Sequence, residues 1–376
     1  MRILQLTSDW KWTGPAEPML RLSEALRSRG HTVSLACPLP PKDGDPTLLE
    51  QARKADLAPL FHPPRGRGIH PLGDWSAVRE ARRCIEAERI QLVHTWHTRD
   101  HALALRAAGL TRGRRRAAVV RSYRVAEQIP ATPWNRWLFG PGTDGLLCVS
   151  PETARKNQGL RAGAPLRGVF GAVDAARFRP APADPAIRRA LGLAPEHRVV
   201  GIVARVQPHR RFDLLLAAAK RLFAEDPTAR LLIVGRGTRR EALAEEPARR
   251  LGIADRVIFA GYRRQDYAAV LQAMDVFTFL VPGSDGSCRA LLEAAACGIP
   301  AVSSRRGSLP EIVVDQHTGL LVEETPEALA SAWATLFADG ELRARLGAAA
   351  RERAEREFSA ERLVDQVLDL YEDALR

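Results

Sequence analysis

Two acidic side chains, Asp285 and Glu293, lie eight residues apart around the start of a predicted helix. Gly286 and Ser287 are typical of the start of a helix, and Gly298 is typical of its end. The pattern therefore places Asp285 in the loop before the helix. It places Glu293 almost two turns further along the chain.

The first amides of such a helix face the preceding loop and carry the positive end of the helix dipole, which suits a phosphate. They belong to Ser287, Cys288, Arg289 and Ala290. Glu293 is placed to accept hydrogen bonds from a vicinal diol such as ribose, while Asp285 meets a group beyond the phosphates. This arrangement fits a nucleotide diphosphate sugar. The alternative is an amphipathic helix with a solvated acid at each end, which an isolated acid pair would favour.

Further motifs follow one another in a fixed order along the chain. They are a strand with a glycine loop (3–7 and Gly14), a helix-to-strand junction (29–33), a motif leading into a second domain (173–180), a basic loop (203–210), a strand with a glycine turn (232–237), the run Glu-Ala-Ala-Ala-Cys-Gly-Ile-Pro-Ala-Val (293–302) and two closing segments (308–313 and 318–322). With the two acids, these motifs resemble the retaining glycosyltransferases of family 4, which have the GT-B fold. The resemblance covers nearly the whole chain.

The resemblance implies an α/β fold of GT-B type, with two Rossmann-like doubly wound parallel-sheet domains facing a central cleft. Residues 1–170 would form the acceptor-side domain and residues 171–358 the nucleotide-sugar-binding domain. Residues 359–376 would form a helix that packs back on the first domain. The residue pattern gives the same two halves, because short apolar strands alternate with helical patterns in each.

The implied reaction moves a sugar from an α-linked nucleotide diphosphate sugar to an acceptor hydroxyl with retained configuration, without a bound metal or other cofactor. Asp285 would hold the donor sugar, Glu293 the ribose, and His97 would orient the sugar near its anomeric carbon. The base is expected near 259–262 or 235–237. The donor phosphates would meet cationic side chains and backbone amides: Gly14, Arg205, Arg210, Gly286, Ser287, Cys288, Arg289 and Ala290.

Three positions depart from the family pattern. Asp285 stands where the family usually has Glu, so its carboxylate is one methylene shorter and the sugar must sit differently or be a different sugar. Arg210 stands where the family has Lys, which replaces a point charge by a planar fork. Gly14 stands where the family often has paired glycines, so close backbone approach to a phosphate is expected only there.

Two histidines lie near the end of a predicted strand, where ligands gather in α/β sheets. The family places one histidine there, and the order His94-Thr95-Trp96-His97 leaves both available. We predict that His97 is the site histidine, because it lies further beyond the end of the predicted strand than His94.

Metal binding is not expected at either of two candidate segments. His94, His97, His101 and Asp100 have suitable chemistry, but the break between strand and helix gives them no fixed ligand face. Asp43-Gly44-Asp45 resembles the Asp-x-Asp metal motif of another glycosyltransferase fold. The prolines around it favour a turn.

The net charge of +12 is confined to the first half of the chain. Residues 1–170 hold 27 Lys and Arg against 15 Asp and Glu, together with six of the seven tryptophans, whereas the remainder is balanced. This asymmetry indicates an acidic or lipid-linked glycan acceptor, or an anionic membrane surface. The excess includes Arg112 and Arg114–Arg116, and a solvated basic face explains it equally well. Nucleic acid is not expected, because no recognised binding motif accompanies the charge.

The segment Thr132–Phe139 contains two tryptophans and Arg136. Indoles favour the headgroup level of a membrane, and the arginine is suited to a lipid phosphate. The segment is equally consistent with a lid over the acceptor or with a buried turn between strands.

Composition predicts a cytoplasmic protein, peripheral at most on the inner face of the plasma membrane, because there is no spanning segment or signal peptide. The five cysteines form no Cys-x-x-Cys pair and are expected to be buried thiols.

UDP, GDP and ADP all remain open as the nucleotide. Lipopolysaccharide core, another glycolipid, a lipid-phosphate carrier, a capsule precursor and a small glycoside remain open as acceptors. A nucleotide-sugar 2-epimerase of GT-B fold is the main rival function.

Overall fold

The computed structural model describes residues 1–12, 16–41, 47–66, 71–109, 117–161, 163–282 and 288–376. These residues form two compact units. The first comprises the described residues of Met1–Gly171 together with Ala360–Arg376. The second comprises the described residues from 172 to 359.

The described part of the first unit contains a sheet of seven parallel strands. They are β1 (Arg2–Leu6), β2 (Thr32–Ala36), β3 (Pro59–Phe61), β4 (Leu92–Thr95), β5 (Ala118–Tyr123), β6 (Gly145–Cys148) and β7 (Leu166–Gly168). Their order is β3-β2-β1-β4-β5-β6-β7. The direction of winding reverses between β1 and β4, so the carboxyl ends of these two strands form a topological switch point.

Helices cover both faces of this sheet. They are α1 (Ala16–Ser28), α2 (Leu48–Lys54), α3 (Pro71–Ala87), α4 (Thr98–Ala108), α5 (Pro133–Phe139) and α6 (Pro151–Asn157). Successive residues of a strand point to opposite faces. Accordingly, Ile3 packs in a core with α1 and α2, while Leu4 packs in a core with α3 and α4.

The second unit repeats this design with six parallel strands among its described residues. They are β8 (Arg198–Val203), β9 (Ala229–Val234), β10 (Val257–Gly261), β11 (Val276–Phe279), β12 (Ala301–Ser304) and β13 (Gly319–Val322), in the order β10-β9-β8-β11-β12-β13. The switch point lies between β8 and β11.

The helices of the second unit lie mainly between its strands and after the last one. They are α7 (Pro185–Ala190), α8 (Phe212–Glu225), α9 (Glu246–Arg250, preceded by a π-helical turn at Glu241–Glu245), α10 (Tyr267–Gln272), α11 (Arg289–Ala296), α12 (Leu309–Ile312), α13 (Pro326–Ala338) and α14 (Gly340–Glu357).

The last helix, α15 (Ala360–Leu375), belongs to the first unit. Val364, Val367, Leu370 and Tyr371 are fully buried in the same core as Ile3. Their helical spacing puts them on one stripe, which explains why the helix packs by that face.

The two parallel-sheet units confirm the predicted α/β fold class. The pattern did not predict the edge strands β3, β7 and β13 or the helices α2, α4, α5, α7, α12, α13 and α14. Each of these strands lies at the edge of its sheet and is only partly buried, so its apolar pattern is weaker than that of the central strands.

The segment Thr132–Phe139 is not a buried turn, so that interpretation is wrong. Thr132 caps α5 by accepting a hydrogen bond from the backbone N–H of Asn135 at 3.2 Å. Leu138 and Phe139 are buried, whereas Trp134 and Trp137 are exposed. The segment is therefore an amphipathic helix whose outer face carries both indoles.

Within the described ranges, every helix is too short or too polar to cross a membrane. All five cysteines are free thiols; Cys84 is half-buried and the other four are buried. Burial raises the pKa of Cys37, Cys148 and Cys297 to about 12. These three thiols are therefore protonated and unreactive at neutral pH.

Leu370→Ala tests the role of α15 in the first unit. Removing a fully buried leucine leaves a cavity, so the free energy of unfolding should fall by about 2–5 kcal/mol in urea titrations. The matched control is Asp369→Ala, because Asp369 is the exposed neighbour and its loss should change stability by about 0.5 kcal/mol or less. Equal stability of both variants would show that α15 contributes little to this core.

Candidate functional site

The loops that follow β8 and β11 are joined across the switch point of the second sheet. Arg210 lies in a 3₁₀ turn after β8 and donates a hydrogen bond from Nη1 to the carbonyl oxygen of Val281, 2.9 Å away. Its guanidinium also lies 5.8 Å from the ring centre of Phe279. Arg205 is exposed at the start of the same loop. Both predicted phosphate-binding cations thus lie at the edge where α/β sheets bind ligands.

Two glycines let the loop after β9 approach the loop after β8. A Cβ at Gly235, where φ is +145°, would lie 2.0 Å from the carbonyl oxygen of Ala204. One at Gly237 would lie 2.4 Å from the carbonyl oxygen of Val206. Only a residue without a side chain permits such contact between two backbones. The two loops therefore form one continuous rim beside Arg205.

The end of β10 joins this rim. The backbone N–H of Gly235 donates to the carbonyl oxygen of Gly261 at 2.8 Å. The guanidinium of Arg236 lies 5.0 Å from the ring centre of Tyr262, which is exposed. The two segments predicted from the sequence to meet the nucleobase are therefore neighbours in the fold.

Helix α11 begins later than the sequence predicted. Cys288 precedes it in the left-handed conformation, with φ of 47°, and α11 begins at Arg289. Its first turn is closed by a hydrogen bond from the N–H of Leu291 to the carbonyl oxygen of Cys288 at 2.8 Å. The amides of Arg289 and the residue after it lie ahead of this bond, at the positive end of the helix dipole.

Glu293 lies one turn inside α11 and is only 8% exposed. Its Oε2 accepts a hydrogen bond of 2.8 Å from the hydroxyl of Tyr267, and its Oε1 lies 3.6 Å from Nε of Arg289. Burial and the neighbouring carboxylate raise the pKa of Tyr267 well above its usual value. Tyr267 is therefore a firm hydrogen-bond donor that fixes the orientation of the Glu293 carboxylate.

The switch point of the first sheet is bridged by His97. Its Nε2 lies 2.7 Å from Oδ2 of Asp9. Asp9 follows β1 and His97 follows β4, so this pair joins the two loops that diverge at the reversal. The structure thus places His97 at the carboxyl edge of its own sheet, where α/β sheets bind ligands.

Asp100 contacts both of these loops through hydrogen bonds. Its Oδ2 accepts hydrogen bonds from the backbone N–H of Ser8 at 3.0 Å and of His97 at 3.2 Å. The side chain is fully buried, and burial raises the pKa of Asp100 to about 6, against the opposing effects of His97, Ser8 and Arg121. A single carboxylate therefore sets the spacing of the loops that carry Asp9 and His97.

His94 is a core residue rather than a site residue. Its Nδ1 lies 2.6 Å from the hydroxyl of Tyr371, and its Nε2 lies 2.7 Å from the hydroxyl of Ser122. Burial, reinforced by two nearby arginines, lowers the pKa of His94 to about 3. The ring is therefore neutral and links β4 to the final helix.

His101 is also committed to the core, with Nε2 2.6 Å from the hydroxyl of Thr143. Among the described residues, His, Cys, Asp and Glu side chains form no group of three or more suited to a metal ion.

Several predicted positions lie outside the described residues. These are Gly14, Asp285, Gly286, Ser287, Asp43-Gly44-Asp45, Arg112 and Arg114–Arg116.

Sequence reasoning missed the roles of three residues that hold the candidate groups: Asp9, Asp100 and Tyr267. Asp100 had a signal, because it lies three residues after His97, where an acid can accept a hydrogen bond from the residue before a helix. Asp9 had a weaker one, since it follows a predicted strand by two residues. Tyr267 had none, because its contact with Glu293 joins two helices 26 residues apart.

The two parallel-sheet units have the GT-B fold, and solved structures agree. A glycosyltransferase from Rickettsia africae superposes with a TM-score of 0.84, at 17% identity, covering 100% of this chain and 99% of that one. Anabaena Alr3699/HepE, solved in complex with UDP, superposes with a TM-score of 0.78, at 18% identity, covering 98% and 99%. At such identities the likeness establishes the fold alone.

Family models identify both halves. The model for Glycosyltransferase Family 4 matches residues 14–177, and the model for Glycosyl transferases group 1 matches residues 183–353. The chain therefore belongs to glycosyltransferase family 4.

A D-inositol 3-phosphate glycosyltransferase from Segniliparus rotundus is 38% identical over 212 residues, which are 54% of this chain and 46% of that protein. The similar enzymes from Saccharomonospora viridis and Streptomyces bingchenggensis are 37% and 33% identical. The chain spans about half the length of these curated relatives.

Asp100→Asn tests the buried carboxylate through its pH dependence. Folding raises the pKa of Asp100 to about 6 and so favours the protonated form. The stability from this group is full at low pH and is lost as pH rises through about 6. Asn keeps an oxygen to accept hydrogen bonds but never ionises. Between about pH 4 and pH 7.5, the wild type should therefore lose about 2 kcal/mol relative to the variant in urea unfolding.

The control is Asp56→Asn, because the Asp56 side chain is fully exposed. It should follow the wild type at every pH. If the free energy of unfolding of Asp100→Asn changes with pH as in the wild type, the pKa of Asp100 is not raised by folding. That result would contradict the proposed contribution of this carboxyl to the spacing of the two loops.

Proposed function

We propose that this protein transfers a hexosyl group, with retained configuration, from an α-linked nucleotide diphosphate sugar to an acceptor hydroxyl. Membership in family 4 supports the transferase reaction. The main support for a donor site is the buried carboxylate of Glu293, which lies on α11. This helix begins at the carboxyl edge of the second sheet, and a hydrogen bond from Tyr267 fixes the carboxylate.

The donor phosphates bind between the basic loop and the start of α11. Arg205 and Arg210 lie at this edge, and the N-terminal amides of α11 add the positive end of a helix dipole. Groups fixed in place before the reaction stabilise charge as it develops on the departing diphosphate. This provides for the leaving group without a bound metal.

The diol of the ribose binds Glu293. Because Tyr267 already fixes the carboxylate, little orientational freedom is lost when the ligand arrives. The base lies against the rim formed by the loops after β9 and β10, where Arg236 and Tyr262 meet. We infer that the base is uracil, since Anabaena Alr3699/HepE was solved with UDP and with UDP-glucose.

In the transfer step, the bond between the anomeric carbon and the phosphate oxygen breaks as the acceptor oxygen bonds to the same face of that carbon. The leaving phosphate takes the acceptor proton, so charge and atoms balance. Asp285 holds the sugar hydroxyls, and His97, oriented by Asp9, stabilises charge near the anomeric carbon. The assignment of Asp285 rests on its motif.

The acceptor is anionic, in the class of phosphorylated or lipid-linked glycans of the cell envelope. The excess of positive charge lies in the first half of the chain, which favours an acidic partner. The curated relatives are named for a phosphate-bearing acceptor, inositol 3-phosphate. This similarity supports a phosphorylated acceptor here.

The nucleotide site is tested by thermal unfolding with UDP, GDP, ADP and CDP. A ligand at a hundred times its Kd stabilises the folded protein by about 2.7 kcal/mol. UDP should stabilise the wild type, and Glu293→Ala should lose most of that effect. Glu352→Ala, an exposed acid of the same unit, is the control and should respond like the wild type. If none of the nucleotides stabilises the wild type, the donor is not a nucleotide sugar.

The role of Asp285 is tested by comparing turnover with nucleotide affinity. Asp285→Ala should lower the transfer rate by about a hundredfold, because a misplaced sugar loses reactive geometry, while the Kd for UDP stays within a fewfold. The exposed Asp255 provides the control variant Asp255→Ala. A normal transfer rate in Asp285→Ala would remove the residue from the sugar site. Conversion of the donor sugar without any acceptor would indicate the epimerase instead.

A further inference from the structure

Helix α5 presents two neighbouring indoles to solvent. Trp134 and Trp137 are 57% and 42% exposed, and their ring centres lie 5.2 Å apart. Residues three apart share one face of a helix. The opposite face is fixed, because Leu138 and Phe139 are buried in a core with strand β6. The aromatic face is therefore held outward by the packing of the inner face.

A groove of about 550 Å³ lies beside the end of this helix. Its charged lining consists of three guanidiniums and one carboxylate: Arg155, Arg161, Arg167 and Asp373. Arg161 connects the groove to α5, since its Nη1 donates to the carbonyl oxygens of Phe139 at 2.5 Å and Gly140 at 3.1 Å. The groove wall and the end of the helix are therefore one rigid structure.

The groove carries net positive charge at its opening. Arg155 and Arg167 are exposed, and the ion pair of Arg167 with Asp373, at 2.6 Å, accounts for the single acid of the lining. Arg161 is buried in the groove lining and adds to the positive charge of the groove. A groove of this composition is suited to a phosphate-bearing group.

We propose that the indole–arginine face, formed by Trp134 and Trp137 together with the groove arginines Arg155, Arg161 and Arg167, docks the first unit on an anionic lipid bilayer. Indoles favour the headgroup level, where one side of the ring is apolar and the other is wet. The groove receives the phosphate of an anionic headgroup. Charge complementarity supports this occupant, because the first half of the chain carries the whole excess of positive charge.

Single exposed tryptophans need no explanation, and Trp75 is one of them. It is 62% exposed on α3 and is covered by the guanidinium of Arg79, 4.5 Å from its ring centre. The indole–arginine face differs, because two exposed indoles contact each other beside a basic groove. Trp75 is therefore a matched control from the same unit.

The test is co-sedimentation of the full chain with vesicles of phosphatidylcholine alone or with about a third of phosphatidylglycerol. The wild type should bind the anionic vesicles and should release as salt shortens the range of the attraction. Trp134→Ser/Trp137→Ser should lower the partition coefficient by about tenfold or more. Arg155→Gln/Arg167→Gln should lower it by about fivefold for each arginine.

Two controls separate docking from loss of structure or of charge. Trp75→Ser and Arg82→Gln/Arg83→Gln, which remove an exposed indole and two exposed arginines of α3, should bind like the wild type. Circular dichroism and melting curves establish that each variant is folded. The experiment needs no donor or acceptor, so its failure is independent of the proposed transfer reaction.

Three results would overturn the proposal. The first is a folded wild type that ignores anionic vesicles. The second is an equal loss of binding in the α3 variants, which would reduce the effect to overall charge. The third is a wild type that dimerises in sedimentation and becomes monomeric in Trp134→Ser/Trp137→Ser without binding vesicles. That result would assign the face to a second copy of the chain.

Discussion

Parallel strand pairing is the constraint on which both units depend. In a parallel sheet every strand ends at the same edge, so every loop that follows a strand is delivered to that edge. The winding reverses once among the described strands of each sheet, between β1 and β4 and between β8 and β11. At each reversal two loops diverge and leave room between them. The candidate functional groups of both units lie beside these two places.

Side-chain contacts across each reversal hold the diverging loops at a fixed distance. In the second unit Arg210 reaches the backbone carbonyl of Val281, and in the first unit His97 pairs with Asp9. Both contacts join a loop after one strand to the loop after the adjacent strand. Both contacts lie at the carboxyl edge of their sheet, so the side chains that hold the loops also line the edge where α/β sheets bind ligands.

The two units handle buried charge differently. In the second, Glu293 is nearly buried yet accepts a hydrogen bond from Tyr267, so the carboxylate is kept in one orientation. In the first, His94 is neutral because burial lowers its pKa to about 3, and it joins the sheet to the final helix through Tyr371. The arrangement in the second unit fixes the orientation of an acidic side chain. The arrangement in the first unit removes a charge from the core.

The sequence by itself determined the class of fold, the two halves and most long strands. Short apolar runs alternating with helical patterns have only a few ways to bury both faces of a sheet. It also provides the motif on which the donor-site proposal rests, because Asp285 and Glu293 lie eight residues apart in one local segment. It did not predict that α11 starts at Arg289. The start depends on the left-handed conformation of Cys288, and cysteine as a residue type does not indicate that conformation.

Only the tertiary structure decided which histidine lies at the edge. His94 and His97 are three residues apart, but one contacts Tyr371, 277 residues away, and the other contacts Asp9, 88 residues away. The partnership of Tyr267 with Glu293 and the exposed indoles of α5 were decided in the same way. Periodicity reports which face of an element is buried, whereas these contacts depend on how distant elements pack. That packing is set by the whole sheet and its helices together.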